Sequence, residues 1–348
     1  MFSPLPAVPV PPQPATAGAP CAPGVPSPPL VPDYRVTAVR RTWAGLPDLL
    51  RRRAAAHLGG TVSAVRSAGG GFTPGFAAVL EGAGSERIFA KAAPETDSFI
   101  YPSYLREAEV ARRMPAGMPV PVLSAAEQLT VDGTGWQLLV YEAVDGAMPG
   151  HPWTDRELQA IEASCAEAVR ILKGFPRELA GEPLAGDLTA VPSGFLSVAD
   201  GAPAPWFLPG LTARHAAGFQ ELLALCPEAL AGEAVLHGDL RPDNILIRSG
   251  RALICDWNFL GTGAEWTDWV SVLPYAHSGG LDADAWLQRS ALTRGVPARH
   301  IDAFLAALLN YMIHSGSQPD VPSSPQLRAH GRHTARIVYD WCLRRNAV

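Results

Sequence analysis

The chain has 348 residues, of which 47% are hydrophobic and 18% charged, so it can bury a sizeable core and is not disordered throughout. Its formal net charge of −5 argues against nucleic-acid binding, and no apolar run approaches the ~18 residues of a membrane-spanning helix. The five cysteines are scattered and form no Cys-x-x-Cys pair, which indicates neither a disulfide framework nor a zinc site and favours a cytoplasmic protein.

The beginning of the chain reads as a proline-rich leader. Residues 1–32 contain 12 of the 34 prolines and no charged side chain. Proline favours extended conformers, and such a composition does not build a packed core. We therefore predict a disordered leader over 1–32, followed by an N-terminal lobe over 33–145 and a C-terminal lobe over 146–348.

The N-terminal lobe is predicted to be small and built around a β-sheet. Helical patterns occur at 47–57, ended by two glycines, and at 102–114, ended by a proline. Apolar runs bounded by turn residues predict five strands, at 61–67, 76–81, 87–92, 122–130 and 136–141. The sequence therefore predicts a five-stranded sheet with one helix inserted after its third strand.

The C-terminal lobe is predicted to be larger and mainly helical. Thr154 and Glu157 have the spacing of a helix-capping box, and the apolar residues behind them recur at helical intervals. Further helices are predicted at 218–230, 282–294, 301–315 and 326–343. The whole acidic excess lies in this lobe, since residues 150–348 carry 21 acidic and 16 basic side chains.

The densest chemical signal is the segment His-Gly-Asp-Leu-Arg-Pro-Asp-Asn that begins at His237, followed by two apolar runs and Asp-Trp. The runs flank a Ser-Gly pair and predict a tight hairpin, which brings Asn244 and Asp256 within about 5–8 Å of each other. One amide and one carboxylate oxygen suit Mg²⁺. Asp239, on the loop that enters the hairpin, can reach the same cleft as a base for an incoming hydroxyl group.

This segment resembles the catalytic loop and metal-binding segment of the aminoglycoside phosphotransferase and choline kinase family, the small-molecule relatives of protein kinases. It contains the family's His-x-Asp-x-x-x-x-Asn string and an Asp-Trp pair after a short hairpin. The resemblance implies an α+β, bilobal protein-kinase-like fold, with Asp239 as catalytic base and His237 shaping the loop. It also implies Asn244 and Asp256 as magnesium ligands. Arg241 is placed to contact the transferred phosphoryl group, or is instead an exposed loop residue.

The small lobe carries residues that resemble the family's nucleotide site. Lys91, expected at the end of the third strand, is one of only two lysines among 28 basic residues and resembles the phosphate-binding lysine. Glu107 on the inserted helix is the implied partner acid, whereas Glu109 is the competing choice and points elsewhere. The glycine turn containing Gly70 and Gly71 can bring backbone N–H groups close to phosphates, although hairpin loops are commonly glycine-rich.

The chain that leaves the small lobe resembles the family's hinge, where backbone groups from Glu142 to Val144 would hydrogen-bond the nucleobase. An ordinary edge strand followed by a turn is the alternative. Further along, the resemblance implies an Asp on the next helix, and we expect Asp268 to tie that helix to the catalytic loop. Trp266 and Trp269 are expected to lie in the core.

The resemblance implies transfer of the γ-phosphoryl group of ATP or GTP to a hydroxyl group of a small molecule, with Mg²⁺. The acidic excess favours a cationic acceptor, such as an aminoglycoside or another amine-bearing antibiotic or metabolite. Choline-like, sugar, homoserine and fructosamine acceptors stay open, as do roles in antibiotic resistance, self-protection and metabolism. The alternative is a non-catalytic, nucleotide-binding pseudokinase with a regulatory role, which the complete catalytic set disfavours. A protein kinase is disfavoured because no Asp-Phe-Gly string is present.

Overall fold

The structure is a computed structural model that describes residues 31–348. The disorder predicted for 1–32 therefore concerns residues that, except for the last two, lie outside the described part of the chain. Within 31–348 the chain forms two lobes, one built on a β-sheet and one mainly helical, as the sequence predicted. No helix in this range is both long and apolar enough to cross a membrane.

The small lobe contains a five-stranded sheet, which confirms the sequence prediction. Its strands are Ala64–Ser67 (β1), Phe76–Glu81 (β2), Arg87–Pro94 (β3), Leu123–Val131 (β4) and Thr134–Glu142 (β5). They are antiparallel and lie in the order β1-β2-β3-β5-β4. Lys91 lies inside β3 and not at its end, because residues 92–94 continue to pair with β5.

Two helices cover the two faces of this sheet, α1 (Asp48–Leu58) and α2 (Ile100–Arg113). Successive side chains of β5 point to opposite faces, so Leu138 packs in the cluster that contains α1 and Leu139 in the cluster that contains α2. The sequence predicted both helices but placed only one of them on the sheet. Lys91 is paired with Leu139 across β3 and β5, so its side chain lies on the α2 face.

The large lobe is mainly helical. Its helices within the described residues are Asp155–Ile171 (α3), Leu184–Thr189 (α4), Gly194–Ala199 (α5), Ala213–Ala224 (α6), Cys226–Ala229 (α7), Thr267–Ser278 (α8), Ala283–Arg289 (α9), Ala298–Ser317 (α10) and Leu327–Arg344 (α11). The predicted capping box is present, because Thr154 accepts a hydrogen bond from the Glu157 N–H and the Glu157 carboxylate accepts one from the Thr154 N–H.

Helix α10 forms the centre of this lobe, with most of its side chains buried among α6, α7 and α11. Trp266 and Trp269 lie in the same core, as predicted. Two predicted helices have different bounds. The helix expected at 218–230 starts earlier, after a Thr212 cap, and divides in two at Leu225. The helix expected at 282–294 ends at Arg289, where the next residue turns to extended backbone.

Two small β-pairs hold the segment with the densest chemical signal. Ala234–Leu236 (β6) pairs with Gly261–Gly263 (β9), two short strands that the sequence analysis missed. Ile245–Arg248 (β7) and Arg251–Ile254 (β8) form the predicted hairpin in the predicted register. The Cys255 N–H donates to the Asn244 carbonyl at 2.8 Å, so the pairing continues to the residue before Asp256.

Candidate active site

A cavity of about 1320 Å³ lies between the sheet and the large lobe. Several residues singled out in the sequence line it, namely Gly70, Gly71, Lys91, Glu107, Glu142, Val144 and Asp256. Asp239 and Asn244 do not line the cavity themselves, but they belong to the same loop as Asp243, which does. The folded chain therefore brings the sequence-predicted nucleotide residues into one cleft, with the catalytic loop at its edge.

Lys91 is buried at the centre of a cluster of side chains from both lobes. Its Nζ donates to Glu107 Oε1 and Oε2 at 2.8 and 2.9 Å, and it also contacts Asp256 Oδ1. The Tyr141 hydroxyl donates to Glu107 Oε1 at 2.8 Å. Glu109 is exposed on the same helix and pairs with Arg106. The structure therefore brings Glu107, and not Glu109, to Lys91.

Burial and charge act against each other in this cluster. Burial works against the charged form of Lys91, but the carboxylates of Asp256 and Glu107 outweigh it and raise the pKa of the ammonium group. Burial raises the pKa of Glu107, with Lys91 opposing it only in part. Burial also works against ionised Asp256, yet the adjacent Lys91 holds the pKa of that carboxyl below its usual range. Lys91 is therefore a fixed cation across the physiological range.

His237 and Asp268 fix the backbone of the catalytic loop. The buried His237 ring has Nε2 at 2.7 Å from the Cys255 carbonyl oxygen, and its Nδ1 accepts from the Asp239 N–H at 3.2 Å. Burial lowers the pKa of His237 despite the nearby Asp268. A neutral ring with the proton on Nε2 satisfies both contacts. Asp268 accepts from the N–H groups of His237 and Gly238 at 2.7 and 3.1 Å, so the predicted tie between helix α8 and the loop is confirmed.

Arg241 lies between two carboxylates of its own loop. Its Nη1 donates to both Asp239 oxygens at 2.7 and 2.6 Å, and its Nε and Nη2 donate to Asp243 at 3.0 and 3.1 Å. The side chain is only 16% exposed, so the alternative of an exposed loop arginine is wrong. Burial raises the pKa of Asp239 although Arg241 opposes this, whereas Arg241 overcomes burial and lowers the pKa of Asp243. Arg241 thus fixes the orientation of Asp239.

Asn244 and Asp256 present the oxygens that a magnesium ion would need. Asn244 Nδ2 donates to the Asp239 carbonyl oxygen at 2.9 Å, while its Oδ1 accepts no hydrogen bond from the described residues. Asp256 engages Lys91 through Oδ1, and its side chain is 36% exposed. Asp256 also has φ of 63°, an uncommon conformation for a residue other than glycine and one that clusters at functional sites. One amide and one carboxylate oxygen fit a magnesium ion that keeps water and phosphate ligands.

The glycine turn is packed closely against its neighbours. A Cβ atom on Gly69 would lie 2.8 Å from the Arg35 carbonyl oxygen, and Gly71 has φ of +77°. The Gly71 N–H donates to Asp243 Oδ2 at 3.3 Å, so this turn contacts the catalytic loop directly. The glycines therefore serve close packing as well as any approach to a phosphate.

One backbone group of the predicted hinge, the Glu142 N–H, is already engaged within the described residues. The Glu142 N–H donates to the Val122 carbonyl oxygen at 2.9 Å, and the Glu142 carboxylate accepts from the Val122 N–H at 3.2 Å. Neither backbone group of Val144 hydrogen-bonds to the described residues. Val144, and not the N–H of Glu142, therefore has backbone groups available for a nucleobase.

The sequence analysis missed two residues of the site, Tyr141 and Asp243. Tyr141 shares a sheet face with Leu139, so the period of two along β5 could have placed it beside Lys91. Asp239 and Asp243 each lie two residues from Arg241, one before it and one after it. This symmetric Asp-x-Arg-x-Asp spacing could have indicated that Arg241 contacts both carboxylates.

Comparison with known proteins identifies the family. Residues 70–308, more than half of the chain, match the model of the phosphotransferase enzyme family, abbreviated APH, and the chain belongs to that family. No curated protein matches the chain significantly in sequence.

Solved structures share the fold at low sequence identity. A thermostable mutant of the aminoglycoside phosphotransferase APH(4)-Ia, in a ternary complex with AMP-PNP and hygromycin B, is 12% identical, with a TM-score of 0.52 over 84% of this chain and 98% of that chain. Spectinomycin phosphotransferase APH(9)-Ia, in complex with ADP and spectinomycin, is 11% identical, with a TM-score of 0.52 over 83% and 97%.

The predicted bilobal fold and enzyme class are thus confirmed: the chain is a small-molecule kinase, which transfers a phosphoryl group to an alcohol. The roles of the individual residues stay predictions.

Proposed function

We propose that this enzyme transfers the γ-phosphoryl group of ATP to a hydroxyl group of an amine-bearing small molecule, with GTP as the alternative donor. One observation carries the proposal. Lys91, held by Glu107 and Asp256, lies in a cleft whose edge is the loop that bears Asp239. A fixed cation for phosphates and a carboxylate for the acceptor are the two groups that phosphoryl transfer requires.

The nucleotide is assigned to the lobe over 33–145 and the catalytic machinery to the lobe over 146–348. Lys91 would bind the α- and β-phosphates, because it is a charged, buried residue that lines the cavity. Gly70 and Gly71 would approach the phosphates from the turn, and Val144 would offer its free backbone groups to the nucleobase. In this arrangement β3 and the chain after β5 hold the two ends of one nucleotide.

Asp239 is assigned as the catalytic base. In the proposed step its carboxylate takes the proton of the acceptor hydroxyl while that oxygen forms a bond to the γ-phosphorus. The bond between the γ-phosphorus and the β–γ bridging oxygen breaks, and ADP leaves with that electron pair. Arg241 holds Asp239 in place and, two residues after this base on the same loop, is assigned to contact the transferred phosphoryl group.

Asn244 and Asp256 are assigned as the residues that hold Mg²⁺. When bound, the ion would neutralise the negative charge of the β- and γ-phosphates. The donor set supports this assignment, since each side chain has an oxygen that accepts no hydrogen bond from the described residues. Lys91 would then keep Asp256 ionised and ready to bind the cation.

The acceptor is proposed to be cationic. The large lobe supplies the acidic excess of the chain, with 21 acidic and 16 basic side chains over 150–348. Acidic clefts raise the local concentration of cations. The two enzymes with a similar fold were solved with hygromycin B and spectinomycin. An aminoglycoside or a related amino alcohol is therefore the first class to test.

We also place the enzyme in the cytoplasm. Cys165, Cys226, Cys255 and Cys342 are free thiols in the described part of the chain. Unpaired cysteines are typical of a reducing compartment. Localising a tagged full-length chain by cell fractionation would test this placement.

The decisive experiment is a mass-spectrometric screen with purified enzyme, ATP and Mg²⁺. Each aminoglycoside or amino alcohol is offered beside its N-acetylated form, which keeps the hydroxyl groups and removes the positive charge. We expect the free amine to gain the mass of one HPO₃ and the N-acetylated partner to react far more slowly. Equal rates for both members of every pair would contradict the cationic acceptor. Nucleotide binding without turnover on any compound of the screen would contradict an amino-alcohol acceptor.

A further inference from the structure

A segment ahead of the sheet contacts both lobes at the glycine turn. Residues 33–41, here called the strap, cross from the large lobe to that turn. The Tyr34 hydroxyl lies 2.9 Å from His330 Nδ1 on α11, and the Val39 N–H donates to the Ser323 carbonyl oxygen at 2.9 Å. On the other side, the Thr37 N–H donates to the Gly69 carbonyl oxygen at 3.2 Å. The strap lies outside residues 70–308, the part of the chain that matches the family model.

Arg40 of the strap holds the turn through its carbonyl oxygens. Its Nε donates to the Ala68 oxygen at 3.0 Å and its Nη1 to the Thr73 oxygen at 2.7 Å. Its Nη2 donates to the Gly71 oxygen at 3.1 Å and also contacts the Gly70 oxygen. A single guanidinium group therefore gathers four carbonyl groups of the segment 68–73.

The direction of these carbonyl groups fixes the direction of the neighbouring N–H groups. In a trans peptide unit the C=O of one residue and the N–H of the next point in opposite directions. Because the Gly70 carbonyl points at Arg40, the Gly71 N–H points away from the strap. The structure shows this directly, since that N–H donates to Asp243 in the cleft. By the same geometry, the bond from Thr37 to the Gly69 oxygen turns the Gly70 N–H away from the strap.

The charge of Arg40 has no carboxylate partner. Lys91 and Arg241 each contact two carboxylates, whereas Arg40 forms no ion pair with any described residue. The undescribed residues 1–30 contain no Asp or Glu that could pair with it. Arg40 is half-buried and lines the same cavity as Lys91 and Asp256. Burying an unpaired charge is costly, so its retention is explained if an anion binds nearby.

We propose that Arg40 is a positioning residue of the nucleotide site, which turns the Gly70 N–H, on the cleft side of the turn, towards the phosphates of the bound nucleotide, while the Gly71 N–H anchors the turn to Asp243. This inference rests on the proposed nucleotide binding in the cleft. It adds the strap to a site that the sequence assigned to the sheet, α2 and the hinge alone. The ligand recognised by this arrangement is a nucleoside di- or triphosphate.

The test measures the affinities of the full-length enzyme for AMP-PNP and for adenosine, by calorimetry well below the melting temperature. Arg40→Gln removes the grip on the carbonyl groups, and Arg40→Lys keeps the charge without the four-carbonyl contact. We expect both variants to lose about 10- to 100-fold in affinity for AMP-PNP, the range for lost hydrogen bonds to a charged group. Affinity for adenosine should stay within about twofold, because adenosine has no phosphate to align.

Arg41→Gln is the matched control, because Arg41 is the next residue, is exposed and only stacks over Trp136. It should bind both ligands as the wild type does. If Arg40→Gln fails to fold, Thr37→Val keeps the test open, since it removes a hydroxyl group that donates to the Gly69 and Gly71 oxygens. It should lower affinity for AMP-PNP in the same direction.

The outcomes separate this inference from the proposed function. A wild type that binds AMP-PNP, with Arg40 and Thr37 variants that bind it equally well, overturns the role of Arg40 alone. Wild-type affinity in Arg40→Lys with a loss in Arg40→Gln would show a charge effect without positioning, and also overturns it. Equal losses for AMP-PNP and adenosine would indicate a general structural role. A wild type that does not bind AMP-PNP overturns nucleotide binding itself.

Discussion

Two clusters of charged side chains in this enzyme carry the same kinds of charge, but their residues come together in different ways. Each holds one cation between two carboxylates, with Lys91 buried and Arg241 half-buried. Lys91 lies between Glu107 and Asp256, partners that are 16 and 165 residues away and come from two further elements. Arg241 lies between two aspartates that are each two residues away on one loop. The Lys91 cluster therefore exists only when the lobes are packed together, whereas the Arg241 cluster is fixed locally.

The type of cation in each cluster suits the directions from which its carboxylates approach. The Lys91 ammonium is a compact point charge that can serve carboxylates arriving from different directions. The Arg241 guanidinium is a planar fork, which suits two side chains that project from one loop. We therefore expect substitutions in the Lys91 cluster to affect how nucleotide and lobes are held together, and substitutions in the Arg241 cluster to affect the acceptor side.

The largest expected effect comes from removing the base of the loop cluster. Asp239→Asn keeps the shape of the side chain but cannot take the acceptor proton, so kcat should fall about 10²- to 10⁴-fold. Arg241 keeps its contacts with Asp243, and affinity for AMP-PNP should stay near the wild-type value. Steady-state kinetics and calorimetry check the two parts. Turnover near the wild-type rate would show that the loop cluster has another function.

Replacing the cation of the Lys91 cluster is the second test. Lys91→Arg introduces a larger, forked group between Glu107 and Asp256, where side chains are already in direct contact. Moving the phosphates by about 1 Å can cost on the order of a hundredfold in rate, so kcat/KM for ATP should fall at least that far. Lys173→Arg is the matched control, since Lys173 is exposed in the short 3-10 helix that follows α3. Full activity in both variants would show that Lys91 does not bind the phosphates.

The Arg241 cluster should tolerate replacement of its cation better than the Lys91 cluster does. Arg241→Lys keeps a positive charge within reach of Asp239 and loses the fork that also orients Asp243. Because hydrogen bonds to charged groups contribute about 1.5–3 kcal/mol, we expect roughly a tenfold loss in kcat with a lower melting temperature. The measurement compares kcat for this variant with that for Lys91→Arg. A larger loss here than at Lys91 would reverse the contrast between the two clusters.

The two clusters also mark what could be predicted from sequence. The hairpin register follows from local spacing and turn chemistry, and the structure confirms it. The role of Asp268 was implied by the family resemblance, and the structure confirms its contact with the catalytic loop. The five strands follow from alternation and glycine turns. Contacts between elements distant in sequence depend on how the lobes pack, and no local pattern encodes that packing. The contact of Asp243 with Gly71 therefore had no direct signal in the sequence.

Arg40 illustrates the same limit most clearly. Arginine is the default cation of this chain, since 26 of its 28 basic residues are Arg, so one more arginine ahead of the sheet does not stand out. Its significance arises from four carbonyl groups that meet only after the glycine turn has folded against the strap. Helix ends were predicted less well for a simpler reason, because capping and the next turn compete within a few residues.

The smallest expected effect belongs to a comparison of two glutamates on helix α2, which tests whether α2 presents Glu107 and not Glu109 to the Lys91 cluster. Glu107 is buried against Lys91 and Tyr141, whereas Glu109 is exposed and pairs only with Arg106, three residues away on the same helix. An exposed pair of this kind contributes at most about 1 kcal/mol, so Glu109→Gln should change stability by no more than that and leave turnover within about twofold.

Glu107→Gln removes one partner of a buried pair, a change that costs about 3–5 kcal/mol when the charge is left unpaired. Since Asp256 still contacts Lys91, the loss should lie below that range, with weaker AMP-PNP binding. Thermal melts and AMP-PNP titrations of both variants make the comparison, and equal effects at the two positions would show that α2 does not present Glu107 to the nucleotide site.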